Sequence, residues 1–164
     1  MAPQARFTDD DVERIVDEYA KTVYKLACSQ ISSQSDAEDV FQEVFLRYIR
    51  KRPVFESKAH EKAWFIRVTI NCCRKVWASP FQIRKRSLEQ EIPDTTSMEK
   101  LDQTLWLRQA LLKLPKKYRL VIHLFYYENL STNQIAKITD KKESAVRMQL
   151  TRARRLLKDS LGGE

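Results

Sequence analysis

Glycine is almost missing from this chain of 164 residues, because its two glycines, Gly162 and Gly163, stand together near the end. Tight β-hairpin turns and phosphate-binding loops depend on glycine, since they need backbone conformations that other residues adopt only at a cost. The sequence therefore offers almost no material for either feature. Hydrophobic residues make up 43% of the chain, which is enough for a core, and we predict an all-α fold.

Apolar residues in the first half of the chain recur at the three- and four-residue spacing of amphipathic helices. Thr8 is the expected N-cap of the first helix. Ser35 and Glu38 have the spacing of a capping box for the second, which should stop before Pro53. Helices are predicted over about 8–31, 35–52 and 59–77.

This periodicity is lost over residues 79–98, where Pro80 and Pro93 interrupt the chain. We interpret the segment as a flexible linker. Beyond it, helices are predicted over about 99–114, 116–127, 132–138 and 143–158. The chain should therefore form two small helical domains, residues 8–78 and residues 99–160.

The positive charge is concentrated at one end of the chain. Residues 100–164 carry 14 basic and 6 acidic residues, which accounts for the whole net charge of +8. A duplex phosphate backbone is the expected partner of such a segment. A basic helix can equally be a solvated face, so charge alone leaves both interpretations open.

The basic segment also has the layout of a helix-turn-helix. Ser131 would cap a short helix, residues 139–142 would form a tight turn, and Val146 and Leu150 of the next helix would face inward. The outward residues of that helix could contact base edges and phosphates. An ordinary helical hairpin is the alternative.

Residues 36–47, DAEDVFQEVFLR, resemble the DAEDxxQExFLR signature of extracytoplasmic-function (ECF) sigma factors of bacterial RNA polymerase. Residues 63–71 resemble the family's AWLxRIAxN helix, residues 112–119 its LPxxxR segment, and residues 130–154 its closing LSxxEIA…V…LxRAR pattern. The resemblance implies sigma region two at 8–78 and sigma region four at 99–160, joined by the flexible linker at 79–98.

The resemblance implies three partners: core RNA polymerase, promoter DNA and an anti-sigma factor that inserts between the domains. In this family the helix over 36–52 docks on the clamp coiled coil of the largest polymerase subunit, and region four can contact the polymerase flap. The residues expected to bind core polymerase are Asp39, Gln42, Glu43, Leu46, Arg47 and Arg50.

The resemblance places recognition and melting of the minus-ten promoter element on the loop 53–60 and the helix that follows. A base taken out of the stack needs a pocket and amide donors, and the separated strand needs cations and aromatic faces. Asn71 is the residue we expect to be central, whereas Lys75 departs from an acid common among relatives. The expected minus-ten residues are Phe55, His60, Trp64, Arg67, Asn71, Arg74 and Lys75.

Recognition of the minus-thirty-five element is assigned by the resemblance to the helix-turn-helix. The family's turn commonly has glycine where this chain has Asp140, which must therefore accept a left-handed conformation. Because of such departures, the promoter sequence that relatives recognise cannot be assigned to this chain. The expected minus-thirty-five residues are Ser131, Lys141, Lys142, Ser144, Arg147, Met148, Thr151, Arg152 and Arg155.

Other classes of protein fit the sequence less well. Without a glycine-rich loop, a nucleophile arrangement or metal-ligand spacing, we predict no enzyme, no cofactor and no metal. A stand-alone helix-turn-helix regulator is the main alternative, but it leaves the first domain unexplained. An apolar run of membrane-spanning length and a signal peptide are both lacking, so we expect a cytoplasmic protein without membrane insertion.

Overall fold

The structure, a computed structural model, describes residues 8–79 and 109–161, and every regular element in these two ranges is helical. The predicted all-α fold with two helical domains is confirmed. We call residues 8–79 the first lobe and residues 109–161 the second lobe. The predicted linker beyond residue 79, and the predicted helix before residue 109, lie outside the described residues.

Helix α1 (Asp9–Gln30) begins at the predicted N-cap. The Asp11 amide donates to the Thr8 hydroxyl oxygen at 3.3 Å, and the Thr8 amide donates to the Asp11 carboxylate at 2.9 Å. These reciprocal bonds satisfy amides that have no partner within the helix. The bonds from Thr8 lower the pKa of the Asp11 carboxyl. The predicted cap is confirmed.

Helix α2 (Gln34–Lys51) starts from Ser33, so the capping box predicted at Ser35 is wrong. Ser33 has an extended backbone and accepts a hydrogen bond from the Asp36 amide at 3.3 Å. Ser35 already lies in the first helical turn, where its backbone cannot adopt the extended conformation of a cap. The helix ends at Arg52 (φ 45°, ψ 56°), because a residue before proline is disfavoured in the right-handed helical region.

Helix α3 (Lys58–Ala78) completes a three-helix first lobe. Phe65 is fully buried and stacks on Tyr19 of α1 with ring centroids 4.4 Å apart. The buried Glu61 carboxylate accepts a 2.7 Å hydrogen bond from the Tyr19 hydroxyl, which fixes the start of α3 against α1. A buried carboxylate without such a partner would be costly.

The C-terminal half of α3 carries two buried thiols, Cys72 and Cys73. Burial raises the pKa of the Cys73 thiol to about 12. Because the thiolate is the reactive form, burial disfavours reaction of this cysteine at neutral pH. Within the two described ranges, no helix has the length and apolar character needed to cross a membrane.

The second lobe contains residues 109–113, which are helical, then α4 (Lys116–Ile122), α5 (Thr132–Thr139) and α6 (Glu143–Leu161). The predicted helix over 116–127 changes form part-way: its last five residues, His123–Tyr127, form a π-helical turn. The Glu128 amide donates to the His123 carbonyl, five residues back, at 3.2 Å. Such turns insert one extra residue into a helix.

The two lobes are in contact, which the sequence did not predict. Leu26 of α1 and Ile66 and Ile70 of α3 belong to the same buried cluster as Leu124 and Ile135 of the second lobe. Leu26, Ile66, Leu124 and Ile135 are completely shielded from solvent. The lobes therefore share an apolar core at their junction.

Candidate functional site

The outward face of α2 carries all six residues predicted to bind polymerase. Val40 and Val44 point into the first lobe, and this turns Asp39, Gln42 and Arg50 to solvent. The remaining three, Glu43, Leu46 and Arg47, are half-buried or exposed on the same face.

Two ion pairs and two apolar side chains organise this face. Glu43 Oε1 lies 3.1 Å from Arg47 Nε and 3.8 Å from Arg50 Nη1. Leu46 is 44% exposed, and Ile49, which sequence reasoning missed, is 39% exposed. The three-residue spacing of Leu46 and Ile49 could have identified the pair, because residues i and i+3 are neighbours on a helix. The face combines an apolar centre with fixed charges.

The loop between α2 and α3 is only partly open to solvent. Phe55 is half-buried against Trp64, with ring centroids 6.0 Å apart, and meets the ring of His60 at 5.5 Å. Nδ1 of His60 accepts a hydrogen bond from the Glu56 amide at 3.2 Å. Val54, which is not among the residues predicted to contact DNA, is 91% exposed. The structure thus brings Phe55, His60 and Trp64 together beside one exposed apolar residue.

The polar face of α3 follows this loop in the chain. Arg67, Asn71, Arg74 and Lys75 are all exposed, as their spacing on the helix requires. Arg67 is already engaged, because its Nη2 donates to the backbone carbonyl of Lys137 in α5 at 3.1 Å. One of the four side chains of this face, Arg67, is therefore in contact with the second lobe, while all four remain exposed.

The helix-turn-helix has the predicted layout. Ser131 caps α5 by accepting from the Gln134 amide at 3.1 Å, so its hydroxyl is already used within the motif. Asp140 adopts the expected left-handed conformation (φ 58°, ψ 45°). Val146 and Leu150 are buried, as predicted. The predicted residues that remain exposed in the turn and on α6 are Lys141, Lys142, Ser144, Arg147, Met148, Thr151, Arg152 and Arg155.

Local hydrogen bonds and an ion pair stabilise the negative charge of Glu143 at the start of α6. The Glu143 carboxylate accepts from the Thr132 hydroxyl and pairs with Arg147, both at 2.8 Å. The Thr132 bond and the Arg147 charge lower the pKa of Glu143. Partial burial and the charges of Arg74 and Lys117 lower the pKa of Lys141. The turn thus brings like charges from both lobes close together.

Arg154 behaves differently from its basic neighbours on α6. Its Nε donates to the Tyr126 hydroxyl at 2.7 Å, and its guanidinium lies over the Phe125 ring, 5.4 Å from the centroid. These contacts hold it against the π turn. Arg152 and Arg155 carry the exposed charge beside it.

Two family models match the chain, one on each lobe. Residues 15–86 match Sigma-70 region 2, and residues 104–157 match Sigma-70, region 4. The RNA polymerase sigma factor SigV of Bacillus subtilis is 28% identical over 91% of this chain and 90% of its own length. The ECF RNA polymerase sigma factor SigL of Mycobacterium tuberculosis is 32% identical over 90% of this chain and 89% of its own length.

Solved structures share the fold. The sigma factor RpoE, in complex with the anti-sigma factor NepR from Bartonella quintana, matches with a TM-score of 0.73 and 22% identity over 93% of this chain and 97% of RpoE. CnrH, in complex with the cytosolic domain of CnrY, matches with a TM-score of 0.70 and 20% identity over 96% of this chain and 92% of CnrH.

Proposed function

The chain belongs to the ECF family of RNA polymerase sigma factors, which are transcription initiation factors and not enzymes, and from this premise we propose that it directs promoter-specific initiation by core RNA polymerase. The observation that carries the proposal is the order of the two matches: region 2 and region 4 each match a separate lobe. The proposed domains are region two over 8–78 and region four over 99–160. The protein would act in the cytoplasm.

The outward face of α2 is the proposed docking site for the clamp coiled coil of the largest polymerase subunit. Its apolar centre, Leu46 and Ile49, would lose water on binding, while Glu43, Arg47 and Arg50 would form a charged rim. Interfaces commonly combine such a centre with such a rim. We add Ile49 to the six residues predicted from the sequence.

The loop before α3 and the exposed face of α3 would hold the melted minus-ten element. Val54 lies fully in solvent beside the cluster of Phe55, His60 and Trp64, where an unstacked base could pack. Asn71 would contribute an amide to the edge of that base, while Arg67, Arg74 and Lys75 would hold the backbone.

In the upstream duplex, α6 would enter the major groove of the minus-thirty-five element. Arg147 can donate two hydrogen bonds to a guanine edge, and Met148 can contact a thymine methyl group. The exposed Arg152 and Arg155 would bind phosphates. Such contacts strengthen binding without distinguishing one sequence from another.

An anti-sigma factor is the proposed regulatory partner. Two proteins with this fold are known in complexes: the sigma factor RpoE with the anti-sigma factor NepR, and CnrH with the cytosolic domain of CnrY. The exposed faces of α2 and α6 are the surfaces whose coverage would block polymerase and DNA.

Run-off transcription with purified bacterial core polymerase tests the proposed function. Core polymerase alone and core polymerase with this protein would transcribe a library of randomised upstream DNA. We expect the protein to bind core polymerase and to select one pair of promoter elements. Binding to duplex DNA without any association with polymerase would refute the proposal and support a stand-alone helix-turn-helix regulator.

A further inference from the structure

A short series of hydrogen bonds connects the first residues of α5 and α6. The hydroxyl of Thr132, the first residue of α5, donates to Oε1 of Glu143, the first residue of α6, at 2.8 Å. The same oxygen accepts from Nη2 of Arg147, one helical turn further along α6, at 2.8 Å. One carboxylate oxygen therefore connects the start of α5 to a side chain that is proposed to contact bases.

The hydroxyl that holds Glu143 is itself fixed in place. Ser131 begins α5 with a capping box, in which the Ser131 amide donates to the Gln134 side chain at 2.9 Å. Thr132 follows this cap directly and is half-buried. Because a β-branched side chain has few rotamers in a helix, the Thr132 hydroxyl is a well-positioned donor for the Glu143 carboxylate.

Glu143 is held more firmly than the partner in an ordinary surface ion pair. A Glu–Arg pair four residues apart on an exposed helix face restrains its side chains only weakly. Here the acceptor is also bound from a second helix, by Thr132, and hydrogen bonds to an ionised acceptor are shorter and stronger than neutral ones. Glu143 is half-buried, whereas the Arg147 side chain is 68% exposed. The more deeply placed carboxylate thus restrains the more exposed guanidinium.

The bond to Glu143 leaves Arg147 able to bind a base. A guanidinium carries five N–H donors on two edges, and Nη2 contributes one N–H to each edge. One bond at Nη2 therefore leaves the other edge complete, with two parallel donors that match O6 and N7 of guanine. Pairing with Glu143 and recognition of guanine are thus compatible in one conformation of Arg147.

We propose that Thr132 and Glu143 are positioning residues for base recognition, which hold the Arg147 guanidinium in the orientation that binds a guanine of the upstream duplex. Neither residue contacts the base. Because DNA phosphates repel the Glu143 carboxylate, the pair weakens binding to every sequence while it increases the preference for one. The role in base recognition rests on the proposed function, whereas the orientation of Arg147 in the free protein does not.

Nitrogen-15 relaxation of arginine Nε–H groups, in the full chain without polymerase or DNA, tests the orientation. Thr132→Val keeps the shape of the side chain and removes its hydroxyl, so the order parameter of Arg147 Nε–H should fall into the flexible range, below about 0.6. Thr132→Ser retains a hydroxyl and should behave as wild type. An order parameter that is equal in wild type and Thr132→Val would overturn the proposal.

Thr139→Val is the matched control for the loss of a hydroxyl from α5. The Thr139 hydroxyl donates to the Ile135 carbonyl at 2.7 Å, within the same helix, and Thr139 is buried. This variant should leave the motion of Arg147 unchanged. A matching increase in both valine variants would show a general loosening of α5 and would contradict a specific role of Thr132.

Run-off transcription from competing promoters, with holoenzyme assembled from core polymerase and the full chain, tests base recognition. The position at which Arg147→Ala removes a preference for guanine is the position that Arg147 contacts. Thr132→Val should reduce that preference about threefold, because immobilising one long side chain at an interface accounts for a factor of about this size. Glu143→Gln should also reduce it, yet increase the affinity of the protein for mixed-sequence duplex DNA. A damaged fold would lower both quantities.

The double variant separates positioning from a general loss of structure. In the Arg147→Ala background, Thr132→Val should reduce the preference no further, whereas additive losses would refute the coupling. If the holoenzyme selects a promoter but Arg147→Ala relaxes no position, the inference fails and the proposed function stands. If no holoenzyme forms, the proposed function fails together with the role in base recognition. The relaxation experiment still decides whether Thr132 holds Arg147 in place.

Discussion

Replacing Asp140 with glycine should stabilise the protein. Asp140 occupies the position after α5 where helices commonly have glycine in the left-handed conformation, and the Lys141 amide donates to the Ala136 carbonyl at 2.9 Å across this cap. A left-handed backbone costs a residue with a Cβ about 1–2 kcal/mol relative to glycine, and aspartate lies at the low end of that range because its short polar side chain can bond locally. A carboxylate at the negative end of a helix costs about 0.3–1 kcal/mol more.

Glycine also has an opposing effect. It makes the unfolded chain more flexible, which lowers the stability of the folded protein by about 0.4–1 kcal/mol. The balance is a gain of about 1 kcal/mol for Asp140→Gly. In a chain of this length, that gain corresponds to a rise of about 2–4 °C in melting temperature. Asp140→Asn removes the charge and tolerates the left-handed backbone, so it should give about half the gain.

Urea and thermal unfolding of wild type, Asp140→Gly and Asp140→Asn check this order of stability. Asp140→Ala is the control, because alanine removes the charge and keeps the Cβ without the side-chain polarity that helps aspartate adopt this conformation. It should be no more stable than wild type. If glycine left the melting temperature unchanged or lowered it, the assigned strain at residue 140 would be refuted.

Three further sets of variants separate the proposed roles. Glu43→Ala should lower the affinity for core polymerase in a pull-down while changing the unfolding free energy by less than about 0.5 kcal/mol, since the ion pairs of Glu43 are on the surface. Asn71→Ala should keep polymerase binding but reduce promoter opening measured by permanganate footprinting. Equal loss of core binding by both variants would contradict the assignment of polymerase binding to α2 and of promoter opening to α3. Arg147→Ala should weaken binding to the selected minus-thirty-five duplex by about 1–3 kcal/mol in a fluorescence titration, and an unchanged affinity would remove Arg147 from that interface. The unfolding free energy should fall as pH decreases from about 6.5 to about 4, because His123 takes up a proton in the unfolded chain but stays neutral when buried in the folded protein. His123→Gln should flatten this part of the pH profile. An unchanged slope would show that His123 is not the group responsible.

Local features of the fold were predictable from the sequence where a short segment decides them. The Thr8 cap and the left-handed Asp140 both depend on residues within one turn, and both predictions are confirmed. The cap predicted at Ser35 lies two residues after the observed cap, because Ser33 and Ser35 are both plausible caps in sequence. Only the backbone conformation of Ser33 decides between them.

The contact between the lobes was not predictable from periodicity. Ile66 and Ile70 have the spacing of residues that pack within their own helical bundle, and nothing in that spacing tells which lobe covers them. Nζ of Lys62 on α3 lies 3.2 Å from Oε2 of Glu128 in the second lobe, although the two residues are 66 apart in the chain, so their pairing depends on the tertiary arrangement. All the predicted polymerase- and DNA-binding residues remain predictions, although the structure places the α2 set on one face.

The π turn sets an angle as well as a local hydrogen-bond pattern. A chain one residue shorter within His123–Tyr127 would complete an ordinary α-helical turn, and every later residue would rotate by about 100° around the axis of α4. Glu128 would then leave Lys62, and α5 and α6 would start in a different direction. The five-residue length of this turn therefore sets the direction in which the second half of the second lobe continues.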